Sequence, residues 1–291
     1  MAKLHKKKIQ GSKIRNFKMT KGIILGAGTG KRLWPITKLI NKHFLNIYNK
    51  PMIFYPLSIL ILNKIKDVLI VCSKEDLKNY KKLLQNGEQL GINISYKIQK
   101  KANGIVGALL ECESFIDKKN FLLMLGDNFF YGNELIQNIT NILNNNKTPS
   151  IFTYNVSNFM NFGIVEYDKK KNIKKIHEKP KKNFSNNAVL GMYYLDYNSI
   201  VYGKKLKKSK RGEYEISDLL NFYIKMKKKI NSYHLGRGVT WFDMGTYDDY
   251  INASLFVKII EERQNLKIGS INEAAFLSGF INKKQFNENE T

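Results

Sequence analysis

The chain has 291 residues, of which 43% are hydrophobic and 12% aromatic, and its formal net charge is +25. This length and composition predict a folded protein with a substantial core and exclude a wholly disordered one. No apolar run approaches the roughly 20 residues needed to cross a bilayer, which excludes a membrane-spanning protein. Cys72 and Cys112 are isolated and lack the spacing of metal ligands. We therefore expect reduced core thiols and a cytoplasmic location.

The net charge raises the question of nucleic-acid binding, because clustered cations have non-specific affinity for phosphate. Only five of the 49 basic residues are arginine, and the lysines are scattered along the chain among many asparagines. No RNA-recognition, zinc-finger or helix-turn-helix signature is present. A solvated basic surface is therefore favoured over a specific nucleic-acid partner.

The predicted elements of the first half alternate between strands and helices. Residues 1–18 are basic and lack the apolar segment of a secretory signal, so we expect a disordered basic tail or an upstream start codon. Short apolar stretches predict strands over 23–25, 67–72, 121–125 and 150–156, and an alternating pattern predicts a strand over 93–98. Helical periodicity predicts helices from Pro51 to about residue 63 and over 74–85, 104–115 and 134–143. This alternation indicates βαβ units and a largely parallel sheet.

The second half is richer in strands. Short strands are predicted over 163–167, 173–177, 188–195 and about 232–235, and helices over 216–226, 247–263 and 272–278. No internal repeat or linker interrupts them. We predict a single domain over 19–291, with a strand-rich part at about 158–240 and a C-terminal helical segment.

The most informative stretch is KGIILGAGTGKR, residues 21–32. Gly26, Gly28 and Gly30 alternate with Ala27 and Thr29 and precede Lys31-Arg32. Closely spaced glycines let backbone N–H groups approach an anion. The spacing excludes a Walker A loop, G-x-x-x-x-G-K-[ST], and a dinucleotide fingerprint, G-x-G-x-x-G. From this loop alone, a phosphate-binding loop and an ordinary glycine-rich turn both stay open.

Two acidic residues follow predicted strands, Asp127 in LGDN and Asp243 in WFDMGT. Two carboxylates at one sheet edge would suit Mg²⁺, which takes oxygen ligands and keeps several waters. Each acid alone could simply cap a turn or a helix. Together with the glycine loop they favour a nucleotide site. Lys42 is a cation in an otherwise apolar context after the glycine loop, which does not by itself define a site. The HEKP stretch at 177–180, taken alone, favours a surface turn.

The order of these motifs resembles that of the sugar-phosphate nucleotidylyltransferases, and within them the glucose-1-phosphate thymidylyltransferases. The resemblance covers residues 19 to about 286. The motifs that carry it are GxGxGKRLxP, KPM at 50–52, LGDN, EKP, RGEYEISD at 211–218, WFDMGT and ERQNLKIG at 262–269. It implies a Rossmann-like three-layer α/β/α fold with a mixed, mostly parallel central sheet and C-terminal helices.

The resemblance also implies an activity. The reaction would be Mg²⁺-dependent transfer of a thymidylyl group from dTTP to glucose 1-phosphate, for deoxysugar synthesis of the dTDP-rhamnose type and for polysaccharide synthesis. A homotetramer with feedback inhibition by a downstream dTDP-sugar between subunits is implied as well. Alternatives are a UTP-using uridylyltransferase and a non-catalytic nucleotide-sugar-binding regulator, and nucleic-acid binding ranks last.

Individual roles carry over onto the matching positions. The implied nucleotide-binding residues are Gly28, Thr29, Gly30, Arg32, Gln99 and Gly104. The implied sugar-binding residues are Asp127, Gly163, Glu178 and Val189. The implied catalytic cations are Arg32, Lys42 and Lys179, and the implied metal ligands are Asp127 and Asp243.

The chain departs from the family pattern at several positions. Gly26-Ala27 replaces the usual Ala-Gly, and four other residues differ from the common Gln, Pro, Gln and Tyr: His43, Asn46, Gly107 and Phe162. These differences bear on affinity and base selectivity more than on the class of reaction.

Overall fold

The computed structural model describes residues 20–145 and 147–290. The tail predicted over 1–18 lies outside these residues. The strands are β1 (Lys21–Leu25), β2 (Asn46–Ile47), β3 (Lys50–Pro51), β4 (Asp67–Cys72), β5 (Asn93–Ile98), β6 (Phe121–Leu125), β7 (Phe129–Gly132), β8 (Ser150–Asn155), β9 (Gly163–Tyr167), β10 (Ile173–Glu178), β11 (Asn187–Leu195), β12 (Asn231–His234) and β13 (Val239–Phe242). The α-helices are α1 (Phe54–Leu62), α2 (Leu77–Leu84), α3 (Ile105–Leu110), α4 (Glu113–Ile116), α5 (Leu135–Asn145), α6 (Asn198–Gly203), α7 (Ile216–Lys225), α8 (Tyr247–Gln264), α9 (Ile271–Leu277) and α10 (Lys283–Glu290).

The central sheet is mixed. Strands β5, β4, β1 and β6 are parallel neighbours in that order. Strand β11 joins β6 antiparallel, β8 joins the other side of β11 antiparallel, and β12 joins β8 parallel. The antiparallel pair β9–β10 attaches to the start of β11 through Ala188 and Ile164. The carboxyl ends of β1 and β6 meet at one edge, where ligands of open α/β sheets bind.

Helices cover both faces of this sheet, because successive side chains of a buried strand point to opposite faces. Ile24 of β1 belongs to a core shared with α1, α2, α5 and α9. Its neighbour Ile23 belongs to a second core shared with α3, α6 and α7. A third, smaller core joins α8 to β7 through Phe129, Ala253 and Val257. The predicted three-layer α/β/α architecture with C-terminal helices is confirmed.

Three predicted helices have clearly different limits in the structure, and one of them is the helix predicted over 74–85, which begins at Leu77. Pro51 pairs with Asn46 in the short β2–β3 hairpin, so α1 begins at Phe54 rather than at Pro51. The helix predicted over 104–115 is interrupted, because Glu111 and Cys112 donate to carbonyls three residues back instead of four.

Within the described ranges, no helix is both long enough and apolar enough to span a membrane.

Candidate active site

The glycine loop leaves β1 at the carboxyl edge of the sheet. The backbone N–H of Gly26 donates to the carbonyl of Val71 on β4 (2.7 Å), which extends the strand pairing by one residue. Gly28 then lies exposed. Gly30 adopts φ 61°, a left-handed conformation that favours glycine. The chain thereby turns into the 3₁₀ helix Lys31–Leu33.

Lys42 lies against this loop. It opens a second 3₁₀ helix, Lys42–Phe44, which is capped by the side chain of Asn41. Lys42 is buried, and its ammonium forms an ion pair with the carboxylate of Asp127. A Cβ at Gly28 would lie 3.5 Å from Lys42 Cε, so the Lys42 side chain occupies the space next to this glycine. The structure therefore brings the glycine loop, Lys42 and Asp127 together.

Asp243 reaches the site by a different route from the one that the sequence pattern predicts. Both acids are expected at the edge of one sheet, but β13 pairs with β7 in a separate two-stranded ribbon. In that ribbon Phe242 is the partner of Phe129. Asp243 directly follows Phe242, and Asp127 lies two positions before Phe129. The ribbon, not the central sheet, carries the second acid to the first.

Arg32 lies beside the second acid. A Cβ added at Gly245 would lie 2.5 Å from the Arg32 guanidinium, so the guanidinium packs on this glycine. The positive charge of Arg32 acts on the Asp243 carboxylate, which also accepts a hydrogen bond from the Gly245 N–H (3.1 Å). The glycine loop is thus accompanied by two cations, Lys42 near Gly28 and Arg32 on Gly245.

The two carboxylates differ in pKa. Burial alone would raise the pKa of Asp127, but the charge of Lys42 and hydrogen bonds from Lys42 and Asn128 outweigh burial, so the pKa lies below its ordinary value. The pKa of Asp243 is raised, first by burial and then by the negative charges of Asp249 and Asp127. A divalent cation between Asp127 and Asp243 would relieve that repulsion.

The donor set suits a hard cation. No group of three or more His, Cys, Asp or Glu residues converges within the part of the chain that the structure describes. Asp127 and Asp243, which lie close enough for the charge of Asp127 to raise the pKa of Asp243, could supply two carboxylates to Mg²⁺, which commonly takes its remaining ligands from water and substrate phosphates.

A cavity of about 290 Å³ opens over the glycine loop. It is lined by six of the predicted residues: Gly28, Thr29, Lys42, Gln99, Gly104 and Asp127. The amide of Gln99 donates to the side chain of Asn103 (3.3 Å). A Cβ at Gly107 would overlap that same side chain, so Asn103 occupies the space of the Gln expected at position 107. The sequence pattern did not single out Asn103.

A second cavity, of about 200 Å³, lies next to the first. It is lined by four further predicted substrate residues: Gly163, Glu178, Lys179 and Val189. Gly30 and Arg32, predicted to bind the nucleotide, line neither cavity. Asp127, predicted to bind both sugar and metal, lines the first cavity and not the second. Ile105 and Glu213 line both cavities, which makes them contiguous.

Arg211 from the RGEYEISD motif lies at the second cavity. Its guanidinium forms ion pairs with Glu178 (3.4 Å), Glu213 (3.3 Å) and Glu215 (3.6 Å). The pKa of Glu178 is nevertheless raised, first by burial and then by the charge of Glu215. Lys179 follows at φ 42°, and its N–H donates to the Phe162 carbonyl (3.0 Å). No role was predicted for Arg211 beyond its motif.

Asn128 is a further residue that the sequence pattern left without a role. Its side-chain oxygen accepts hydrogen bonds from the Trp241 indole (2.8 Å) and the Gly191 N–H (3.1 Å). Its amide nitrogen is thereby directed to Asp127 (3.1 Å). Asn128 therefore orients Asp127, and its place in the LGDN motif was the only sequence signal for it.

Comparison with known proteins agrees with this geometry. The family model for nucleotidyl transferase matches residues 21–259. The glucose-1-phosphate thymidylyltransferase of Neisseria meningitidis is 39% identical, covering 92% of this chain and 93% of the relative. The enzyme of that name from Mycolicibacterium smegmatis is 38% identical, covering 91% of each chain.

Solved structures show the same fold. A candidate glucose-1-phosphate thymidylyltransferase from Bacillus anthracis, in complex with sucrose, has a TM-score of 0.75 at 33% identity, covering 92% of this chain and 99% of that one. A UDP-glucose pyrophosphorylase with UDP-glucose has a TM-score of 0.74 at 25% identity, covering 83% and 99%. On the match of fold, motifs and sequence, this chain belongs to the nucleotidyl transferase family.

Proposed function

We propose that this chain transfers a thymidylyl group from dTTP to glucose 1-phosphate, giving dTDP-glucose and pyrophosphate. The observation that supports this most is the continuity of two cavities across Ile105 and Glu213. One cavity has a glycine loop with Lys42, as a triphosphate requires, and the other has Glu178 and Lys179, as a sugar phosphate requires. The names of the relatives supply the two substrates.

The geometry supports a direct displacement. A phosphate oxygen of glucose 1-phosphate attacks the α-phosphorus of dTTP, and the bond from that phosphorus to the bridging oxygen breaks. Pyrophosphate leaves with the electron pair, so no covalent enzyme intermediate is needed. Because both reactants are anions, catalysis depends on positioning and charge neutralisation.

Each cation has a place in this reaction. Lys179 orients the attacking phosphate, while Glu178 accepts hydrogen bonds from sugar hydroxyls. Lys42 and Arg32 neutralise charge on the triphosphate and the leaving pyrophosphate. Asp127 and Asp243 would hold Mg²⁺, which would supply further neutralisation of the phosphates. Asn128 keeps Asp127 in its orientation.

We also propose a homotetramer. Helix α8 exposes an apolar stripe, Ile251, Leu255 and Ile259, at a spacing of four residues. Side chains at this spacing lie on one helix face. An exposed apolar stripe is typical of a contact surface. We further propose feedback inhibition by a dTDP-sugar bound between subunits, and a cytoplasmic location, with which the two buried free thiols are consistent.

The test is an assay of purified protein with Mg²⁺, glucose 1-phosphate and either dTTP or UTP, following pyrophosphate release. We expect the higher kcat/KM with dTTP. A preference for UTP would instead assign the uridylyl reaction, since base contacts discriminate by only about 1–3 kcal/mol each. If pyrophosphate were released with neither dTTP nor UTP, both reactions would be contradicted. The remaining alternative would be a non-catalytic nucleotide-sugar-binding regulator.

A further inference from the structure

Tyr80 of α2 connects the two segments that bind phosphate, although it lines neither cavity. Its side chain is fully buried. Its hydroxyl donates to the carbonyl of Gly26 (3.1 Å), the residue that begins the glycine loop. Its ring packs on Phe44 with centroids 4.6 Å apart, and Phe44 ends the 3₁₀ helix that Lys42 begins.

The start of α2 supports the same two segments through a second set of contacts. Asp76, directly before α2, accepts hydrogen bonds from Asn41 (2.6 Å) and Ser73 (2.8 Å). The amide of Asn41 also donates to the Gly26 carbonyl (3.3 Å), and Asn41 caps the helix of Lys42. The Gly26 carbonyl is therefore held by two donors.

The hydroxyl of Tyr80 also explains why position 26 is glycine. A Cβ at Gly26 would overlap this hydroxyl, whereas the next nearest atoms are Tyr80 Cζ at 3.1 Å and the Val71 carbonyl at 3.4 Å. The ring cannot move aside freely, because it is fully buried and packs against the Phe44 ring. Without the hydroxyl, a methyl group would fit after a shift of a few tenths of an ångström.

We propose that Tyr80 is a positioning residue for nucleotide binding and that Gly26 is its matched partner. The hydroxyl fixes the first peptide of the glycine loop relative to Lys42, and the exchange of Ala for Gly at position 26 makes room for it. This rests on the proposed function, because the loop is taken to bind the triphosphate of dTTP.

A double-mutant cycle tests the match. The variants are Tyr80→Phe, Gly26→Ala and the double variant, with KM measured for dTTP and for glucose 1-phosphate. Tyr80→Phe removes one hydrogen bond and should raise the KM for dTTP about 2- to 10-fold. Gly26→Ala forces overlap and should raise it about 10- to 100-fold. The KM of the double variant for dTTP should be close to that of Tyr80→Phe alone. In all three variants the KM for glucose 1-phosphate should stay within about twofold of the wild-type value.

Tyr96→Phe is the matched control, since it removes a hydroxyl from the same neighbourhood without a contact to the loop. It should leave the KM for dTTP unchanged. Multiplicative effects in the double variant, or an unaltered KM in Gly26→Ala, would overturn the proposal. If the wild type turned over no nucleotide, the proposed function would fail by itself. Melting temperatures would then test whether Tyr80 and Gly26 are matched, because the double variant should melt at a higher temperature than Gly26→Ala.

Discussion

Lys42 and Lys179 differ in their surroundings, and this difference decides which of them gives a clean test of the chemistry. Lys42 is buried and paired with Asp127, so its removal would leave an uncompensated carboxylate in the interior. Breaking such a pair costs about 3–5 kcal/mol of stability in addition to any contact with substrate. Lys179 is exposed, so its substitution bears on the reaction with little effect on the fold.

We expect Lys179→Ala to lower kcat for dTDP-glucose formation by about 10²- to 10³-fold, because one charge contact to the transferring phosphates is lost. Steady-state kinetics of pyrophosphate release provide the measurement, and the melting temperature should not change. Lys181→Ala, an exposed lysine two residues on, is the control and should keep wild-type turnover. Equal activity in the two variants would remove Lys179 from the mechanism.

His43 predicts a pH dependence of stability. Burial, followed by the charge of Lys42, lowers the pKa of His43 from 6.5 to about 3. Between these values the unfolded chain binds a proton that the folded protein excludes. The free energy of unfolding therefore falls as the pH drops below about 6.5, by up to about 1.4 kcal/mol per pH unit from this residue.

His43→Gln removes that contribution and provides the comparison. Urea unfolding of both proteins at pH 7.5 and pH 5.5 should show that the wild type loses about 1 kcal/mol more than the variant between the two conditions. Parallel losses in the two proteins would mean that His43 titrates normally in the folded state.

Helix α8 is apolar on two sides, which is unusual for a helix at the surface. Ala253 and Val257 are buried against β7 and β13. On another side Ile251, Leu255 and Ile259 are 51%, 51% and 54% exposed. A helix with one apolar side is expected for a monomer. The second side indicates a partner surface, and another copy of the chain fits the proposed homotetramer.

Leu255→Glu places a charge in this stripe, and burying it in an interface without a partner is costly. We expect the variant to elute as a smaller species than the wild type in size-exclusion chromatography with light scattering. Asn79→Glu adds the same charge at an exposed position of α2 and should leave the mass unchanged. A Leu255→Glu protein of wild-type mass would exclude this stripe as the contact.

At the scale of the whole molecule, the net charge of +25 predicts incidental binding to nucleic acid. Counterion release makes such binding steeply dependent on salt, with losses of about 10³-fold or more between 50 and 200 mM for six or more phosphate contacts. We expect DNA binding at 50 mM salt that disappears at 200 mM, measured by fluorescence anisotropy. Single-stranded and duplex DNA of any sequence should compete. DNA binding that persisted at 200 mM salt and showed a sequence preference would instead support a nucleic-acid-binding function.

Much of the fold could be predicted where a short, regular pattern of apolar residues marks a buried strand. The strands over 67–72 and 121–125 match β4 and β6 because each is a short, largely apolar run, and the strand over 93–98 matches β5 because its apolar and polar residues alternate. Helix limits were predicted less well. Pro51 suits a first helical turn, yet its pairing with Asn46 in a hairpin took precedence. The interruption between α3 and α4 has no marker in the sequence.

The sequence alone determined the glycine loop, the acid after β6 and the order of the motifs, because these depend on residue type and short spacing. Only the tertiary structure decided how Asp243 reaches Asp127, how Asn128 is oriented and which atoms a side chain at position 26 would meet. Each of these depends on a contact between residues far apart in the chain. Such contacts follow from strand pairing and core packing, which local patterns do not encode.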